Sequence, residues 1–106
     1  MSDTALAPAT AQDMAKNAEN AAIYLKTLAH EGRLTILCHL ASGERSVGEL
    51  ETLLGIRQAA VSQMLSRLRE EELVKTRREG KTIYYSLSNT DTERMIALLH
   101  DMFCKT

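Results

Sequence analysis

From Asp13 onward, apolar positions recur every three or four residues. Met14, Ala18, Ala21, Ala22, Leu25, Leu28 and Ala29 form one such stripe, which predicts a helix ending near Ala29. Gly32 reads as a break. A second stripe, Leu34, Leu37, Cys38 and Ala41, predicts a helix over roughly 31–41. The turn SGER follows. Ser46 and Glu49 then stand in the S-x-x-E arrangement, in which each side chain accepts a bond from the other residue's backbone N–H at a helix start. This places a short helix over 47–54, with Gly55 as a left-handed stop. After the turn GIR, QAAVSQMLSRLREE resumes the helical period, with Ala60, Val61, Met64, Leu65 and Leu68 inward. Two short helices about a tight glycine turn form the helix-turn-helix pattern.

The pattern then changes to strand character. LVKTRREGKTIYYSLS is enriched in β-branched and aromatic residues on both sides of EGK, which predicts a hairpin with strands 73–78 and 82–87 and Gly80 at its tip. Thr90 and Glu93 form a second capping pair. The helix they open carries Met95, Leu98, Leu99 and Met102 on one side, with Ile96 and Phe103 adjoining. The predicted fold is therefore mainly α with a β-hairpin wing, a winged helix-turn-helix of order α-α-α-α-β-β-α. Residues 1–12, small and polar with Pro8, read as a disordered tail. Residues 13–106 make a single domain.

Composition narrows the picture. The chain has 106 residues, no Trp, one Phe and one Pro, so its core must come from Leu, Ile, Val, Ala and Met. Such a core is small for a lone monomer, and pairing with a second copy would enlarge it. No apolar run approaches the roughly 20 residues that span a bilayer. The first residues lack the basic and apolar regions of a signal peptide, so a cytoplasmic location is expected. The two cysteines, Cys38 and Cys104, are then either spectators or a redox pair. No C-x-x-C and no nucleophile motif is present, so no enzyme activity and no cofactor are expected.

Charge is unevenly spread. Between Arg57 and Lys81 lie seven basic residues (Arg57, Arg67, Arg69, Lys75, Arg77, Arg78, Lys81) and four acids, on a chain of net charge −1. On the helix from Gln58, the residues off the core stripe are Gln58, Ala59, Ser62, Gln63 and Ser66. They are short or amide-bearing, as suits a helix in the major groove. Gln bonds an adenine edge, Ser serves as donor or acceptor, and Ala meets a thymine methyl. Arg57 and Arg67 suit phosphates. Arg77, Arg78 and Lys81 suit phosphates or a narrow minor groove. Double-stranded DNA is the expected partner.

The stretch LAHEGRLTILCHLASGERSVGELETLLGIRQAAVSQMLSRLREEELVKTRREGKTIYYSLS resembles the winged-helix core of the ArsR family of bacterial repressors. The resemblance implies a homodimer joined through its first and last helices. It implies repression at an inverted-repeat operator, the helix from Gln58 reading bases and residues 77–81 forming the wing tip. It also bears on the inducer. Where one family metal site places Cys-x-Cys, this chain has Ser46 and Gly48. Where another uses the last helix, Asp91 and His100 stand with Glu93 and Phe103 in place of further ligands. Both patterns are broken, and no metal site is expected. Cys38 in GRLTILCHL and Cys104 in FCK, with SVGELE, RQAAVSQ and RREGK, resemble the sulfide-responsive SqrR and BigR subgroup. That resemblance implies a persulfide-sensing dithiol that forms a di- or polysulfide bridge, releases the operator and derepresses sulfide-detoxification genes. Other readings stay open. Cys38 suits a small buried hydrophobe and Cys104 an inert terminal residue. Cys38, His39, His100 and Cys104 form a residual metal set, and general oxidants are a further inducer class. His39 reads as a surface residue and His30 as a cation at a helix C-terminus.

Overall fold

The computed structural model describes residues 10–103. Its elements are α1 (Ala11–Leu28), α2 (Glu31–Leu40), β1 (Arg45–Ser46), α3 (Val47–Leu54), α4 (Gln58–Glu70), β2 (Val74–Glu79), β3 (Thr82–Leu87) and α5 (Thr90–Phe103). This is the expected winged helix-turn-helix with one strand more. β1 pairs antiparallel with β3, Arg45 opposite Tyr85 and Ser46 opposite Tyr84, to complete a three-stranded sheet of order β1-β3-β2. Two residues are too few to carry a strand pattern in the sequence, and SGER reads there only as a turn.

The caps explain the other shifts of boundary. α1 begins at Ala11 rather than Asp13, because the Thr10 hydroxyl accepts the Asp13 N–H at 3.0 Å and the Asp13 carboxylate accepts the Thr10 N–H. The break after α1 falls at Ala29 and His30, not at Gly32, which lies inside α2. His30 is the N-cap of α2, and its Nδ1 accepts the Arg33 N–H at 3.2 Å. Its position at a helix start thus replaces the C-terminal role expected for it. Arg33 closes the other side of the corner, its Nε donating to the Thr27 carbonyl at the end of α1 at 2.9 Å. α5 is capped by Asn89, not by Thr90. The Asn89 Oδ1 accepts from the Thr92 N–H at 2.9 Å and from the Thr92 hydroxyl at 3.1 Å.

The core gathers Leu28, Ile36, Leu37, Leu40, Leu50, Val61, Leu65, Leu68, Leu73, Val74, Leu87 and Ile96. The deepest face of α2 is therefore Ile36, Leu37 and Leu40, with Leu34 and Cys38 half-buried and Ala41 exposed. α2 packs against α1, α3, α4, α5 and β3, so its buried face is wider than the stripe counted from Leu34. α5 buries Thr92 and Ile96. Much of the apolar side read from the sequence is exposed in the subunit: Leu98 is 53 % exposed and Met102 60 %, and the adjoining Phe103 75 %. On α1 only Thr27 and Leu28 are buried, and Met14, Ile23 and Leu25 are exposed. An isolated helix of this length is marginal in water, and most helical stability comes from packing an apolar face. The two outer helices thus carry apolar surface with no cover inside the subunit.

Candidate nucleic-acid interface

The helix-turn-helix is built by local chemistry. Ser46 Oγ accepts the Glu49 N–H at 3.1 Å, and Glu49 Oε1 accepts the Ser46 N–H at 2.8 Å, which fixes the start of α3. Gly55 ends it with φ 69°, in the left-handed region that a side chain disfavours. Arg57 then opens α4 as its N-cap without a side-chain bond of its own. No acid stands in the first turn of α4, so the positive end of that helix dipole is left open to an anion.

α4 divides as its sequence predicts. Val61, Leu65 and Leu68 are buried and Ala60 and Met64 half-buried, while Gln58, Ala59, Gln63, Ser66 and Arg67 face solvent together with Arg57. Ser62 is half-buried between the two faces. The start of α4 stands beside the wing. Gln58, Ser46, Val47 and Gly48 line one open hollow of ≈ 450 Å³ with Lys81, Thr82 and Ile83. Gly80 makes the wing tip with φ 63°. Arg78 and Lys81 are exposed there, and Arg78 Nε donates to the Gly80 carbonyl at 3.1 Å. Arg77 is engaged differently. Its guanidinium bonds Glu44 and Glu79 and lies over the Tyr84 ring. Glu44 has no local sequence signal that marks it, because it lies 33 positions from its partner.

Cys38 is half-buried on α2 and packs against the core. Cys104 lies outside the described residues. His100 is exposed on α5, and His39 is half-buried rather than a surface residue. Ser46, at the position of the family's first metal pattern, is committed to the α3 cap. Among the described residues no three His, Cys, Asp or Glu side chains gather as metal ligands. No helix among them is long and apolar enough to cross a membrane.

A polar-faced second helix, a capped glycine turn before it and a basic hairpin beside it define a winged-helix DNA-binding regulator. The chain belongs to the ArsR family: residues 30–76 match the family model "Bacterial regulatory protein, arsR family". Its relatives are transcriptional regulators, not enzymes. It is 48 % identical over 99 residues to the transcriptional activator HlyU of Vibrio cholerae, covering 93 % of this chain and 92 % of that protein. The structure of reduced HlyU matches with a TM-score of 0.84 over 89 % of this chain and 99 % of that one. The biofilm growth-associated repressor of Xylella fastidiosa is 43 % identical over 104 residues, 98 % of this chain and 91 % of that protein. The crystal structure of the repressor BigR from the same species matches with a TM-score of 0.80, at 45 % identity, over 90 % of this chain and 94 % of that one. A homodimeric winged helix-turn-helix domain from Mycobacterium bovis matches with a TM-score of 0.77 at 34 % identity, over 92 % of this chain and 89 % of that one.

Proposed function

We propose that the protein is a homodimeric, cytoplasmic repressor that binds an inverted-repeat operator and releases it when persulfides bridge Cys38 to Cys104. Arg57, Gln58, Ala59, Ser62, Gln63, Ser66 and Arg67 meet bases and phosphates from α4, and Arg78 and Lys81 meet phosphates from the wing. The observation that carries the sensing step is the position of Cys38. It sits on α2, half-buried among core side chains, and α2 packs against α5, whose last described residue, Phe103, directly precedes Cys104 in the chain. The dimer reading is supported by the uncovered apolar faces of α1 and α5 and by the homodimeric Mycobacterium relative.

The persulfide is the two-electron oxidant, and the chemistry closes without any other. A cysteine thiolate attacks the sulfane sulfur of a low-molecular-weight persulfide, giving a cysteine persulfide and a thiol. The second thiolate attacks the inner sulfur and expels hydrogen sulfide, which leaves a disulfide. If both cysteines are persulfidated first, the same step retains one more sulfur in the bridge. The sulfane sulfur is reduced and the two thiols are oxidised. A bridge between α2 and the residue after α5 alters the packing of the outer helices, and with it the spacing of two recognition helices that a symmetric operator needs about 34–36 Å apart.

The test uses the duplex that the reduced protein selects from a random-sequence pool. Glutathione persulfide is expected to lower its affinity in the wild type and to leave Cys38→Ser and Cys104→Ser bound. A serine variant that still releases the duplex contradicts the dithiol. Release by peroxide as fast as by persulfide favours a general oxidant, and release by metal ions a metal inducer.

A further inference from the structure

Arg77 works across the sheet. Its Nε and Nη2 grip Glu44 as a fork at 2.9 and 2.8 Å, and its Nη1 bonds Glu79 at 2.8 Å. The guanidinium carbon stands 4.9 Å from the centre of the Tyr84 ring. Glu79 belongs to β2, Tyr84 to the central β3, and Glu44 immediately precedes β1. One guanidinium therefore touches β2, crosses β3 and holds the approach to β1. Such a planar, five-donor group grips a carboxylate bidentately and stacks on a ring at once, which a lysine does not.

The place of this fork matters for DNA. β1 has two residues, and its second, Ser46, is the cap of α3. A ladder that short holds the hairpin to the body weakly. The Arg77–Glu44 fork adds a side-chain bond between the wing and the segment leading into the helix-turn-helix. It also removes Arg77 from phosphate duty, because one guanidinium between two carboxylates leaves the group net negative. Arg78 points to the opposite face of β2 by the alternation of strand side chains. Neither Arg78 nor Lys81 has a carboxylate partner among the described residues.

We infer that Arg77 is a positioning residue that staples the wing to the helix-turn-helix, and that Arg78 and Lys81 make the wing's phosphate contacts. The inference rests on the DNA-binding assignment and is independent of the thiol chemistry.

Affinity for the selected duplex, measured over a range of salt, separates the roles. A lost phosphate contact lowers the slope of log affinity against log salt by about 0.9, hence about 2 for a symmetric dimer. Arg78→Gln is expected to show that drop. Arg77→Lys keeps the charge but not the fork. It is expected to weaken binding about fivefold, with the slope unchanged, the size of one well-formed ion pair. Glu44→Gln is expected to do the same, and the double variant to be no worse than either single one. Without DNA, both single variants are expected to speed amide exchange at Arg45, Ser46, Tyr84 and Tyr85. Unchanged or tighter binding by Glu44→Gln, or wild-type affinity in Arg77→Lys, would overturn the staple. A wild type that selects no duplex would instead defeat the DNA assignment, while the exchange measurement still judges the staple.

Discussion

The sulfur of Met64 lies 2.5 Å from the point where a β-carbon on Gly32 would stand, so the first turn of α2 rests on α4 and a methyl group there would force the Met64 side chain to move. The contact joins α2, which carries Cys38, to α4, the second helix of the helix-turn-helix. Gly32→Ala gains about 0.5–1 kcal/mol of helix preference but must displace the thioether. With Met64→Ala in place only the gain remains. The helix preference cancels in the double-mutant cycle, so the coupling reads the cost of moving the thioether, expected at about 0.5–1.5 kcal/mol in urea unfolding. Additive effects would show that the helices do not press on each other there.

The reciprocal cap at Ser46 and Glu49 sets where α3 starts. Ser46→Ala leaves the Glu49 N–H without its acceptor and is expected to lower stability by about 1 kcal/mol. Thermal unfolding checks it, and Ser46→Asp, which keeps an acceptor, is expected to restore most of the loss.

Leu98, Met102 and Phe103 on α5, and Met14 and Leu25 on α1, are apolar and uncovered in the subunit. Exposed patches of this kind mark interfaces. Leu98→Glu with Met102→Glu is expected to convert a dimer into a monomer in sedimentation and to weaken operator binding, while helix content is retained. A variant that sediments as the wild type would remove these residues from the interface.

The Glu44 carboxyl is held below its ordinary value of 4.5, chiefly by its hydrogen bonds to Arg77, with some loss of hydration opposing and the charges of Arg77 and Lys75 assisting. A depressed folded value means that the fork contributes fully above 4.5 and is lost as pH falls through that lower value. A carbon-13 titration of Glu44 is expected to show a midpoint under 4.5, moving back toward it in Arg77→Gln. An unmoved midpoint would show that the fork does not persist in solution.

Much of this architecture was legible because it rests on local chemistry. The Ser46–Glu49 box, the left-handed Gly55 and the split of α4 into Val61, Leu65, Leu68 against Gln58, Gln63 and Ser66 are each set within a few residues. What could not be read depends on distant partners. β1 exists only because Tyr84 and Tyr85 stand opposite it. Glu44 matters only through Arg77, and Gly32 only through Met64. The exposure of the α5 stripe is likewise not set by local spacing. A single chain has a helix stripe that looks like core, and nothing in its spacing says that Leu98 and Met102 are left outside the subunit. Asn89 caps α5 although Thr90 and Glu93 offer the same spacing one residue later.

Whether Cys38 and Cys104 form one sulfur-reactive pair is read by intact-mass spectrometry of the reduced protein after glutathione persulfide. The expected product has lost two hydrogens, with or without gained sulfur, and its peptides join Cys38 to Cys104. Peroxide serves as the control. An unchanged mass, or persulfide on one cysteine with no link to the other, would rule out the dithiol pair and leave a winged-helix regulator whose inducer lies elsewhere.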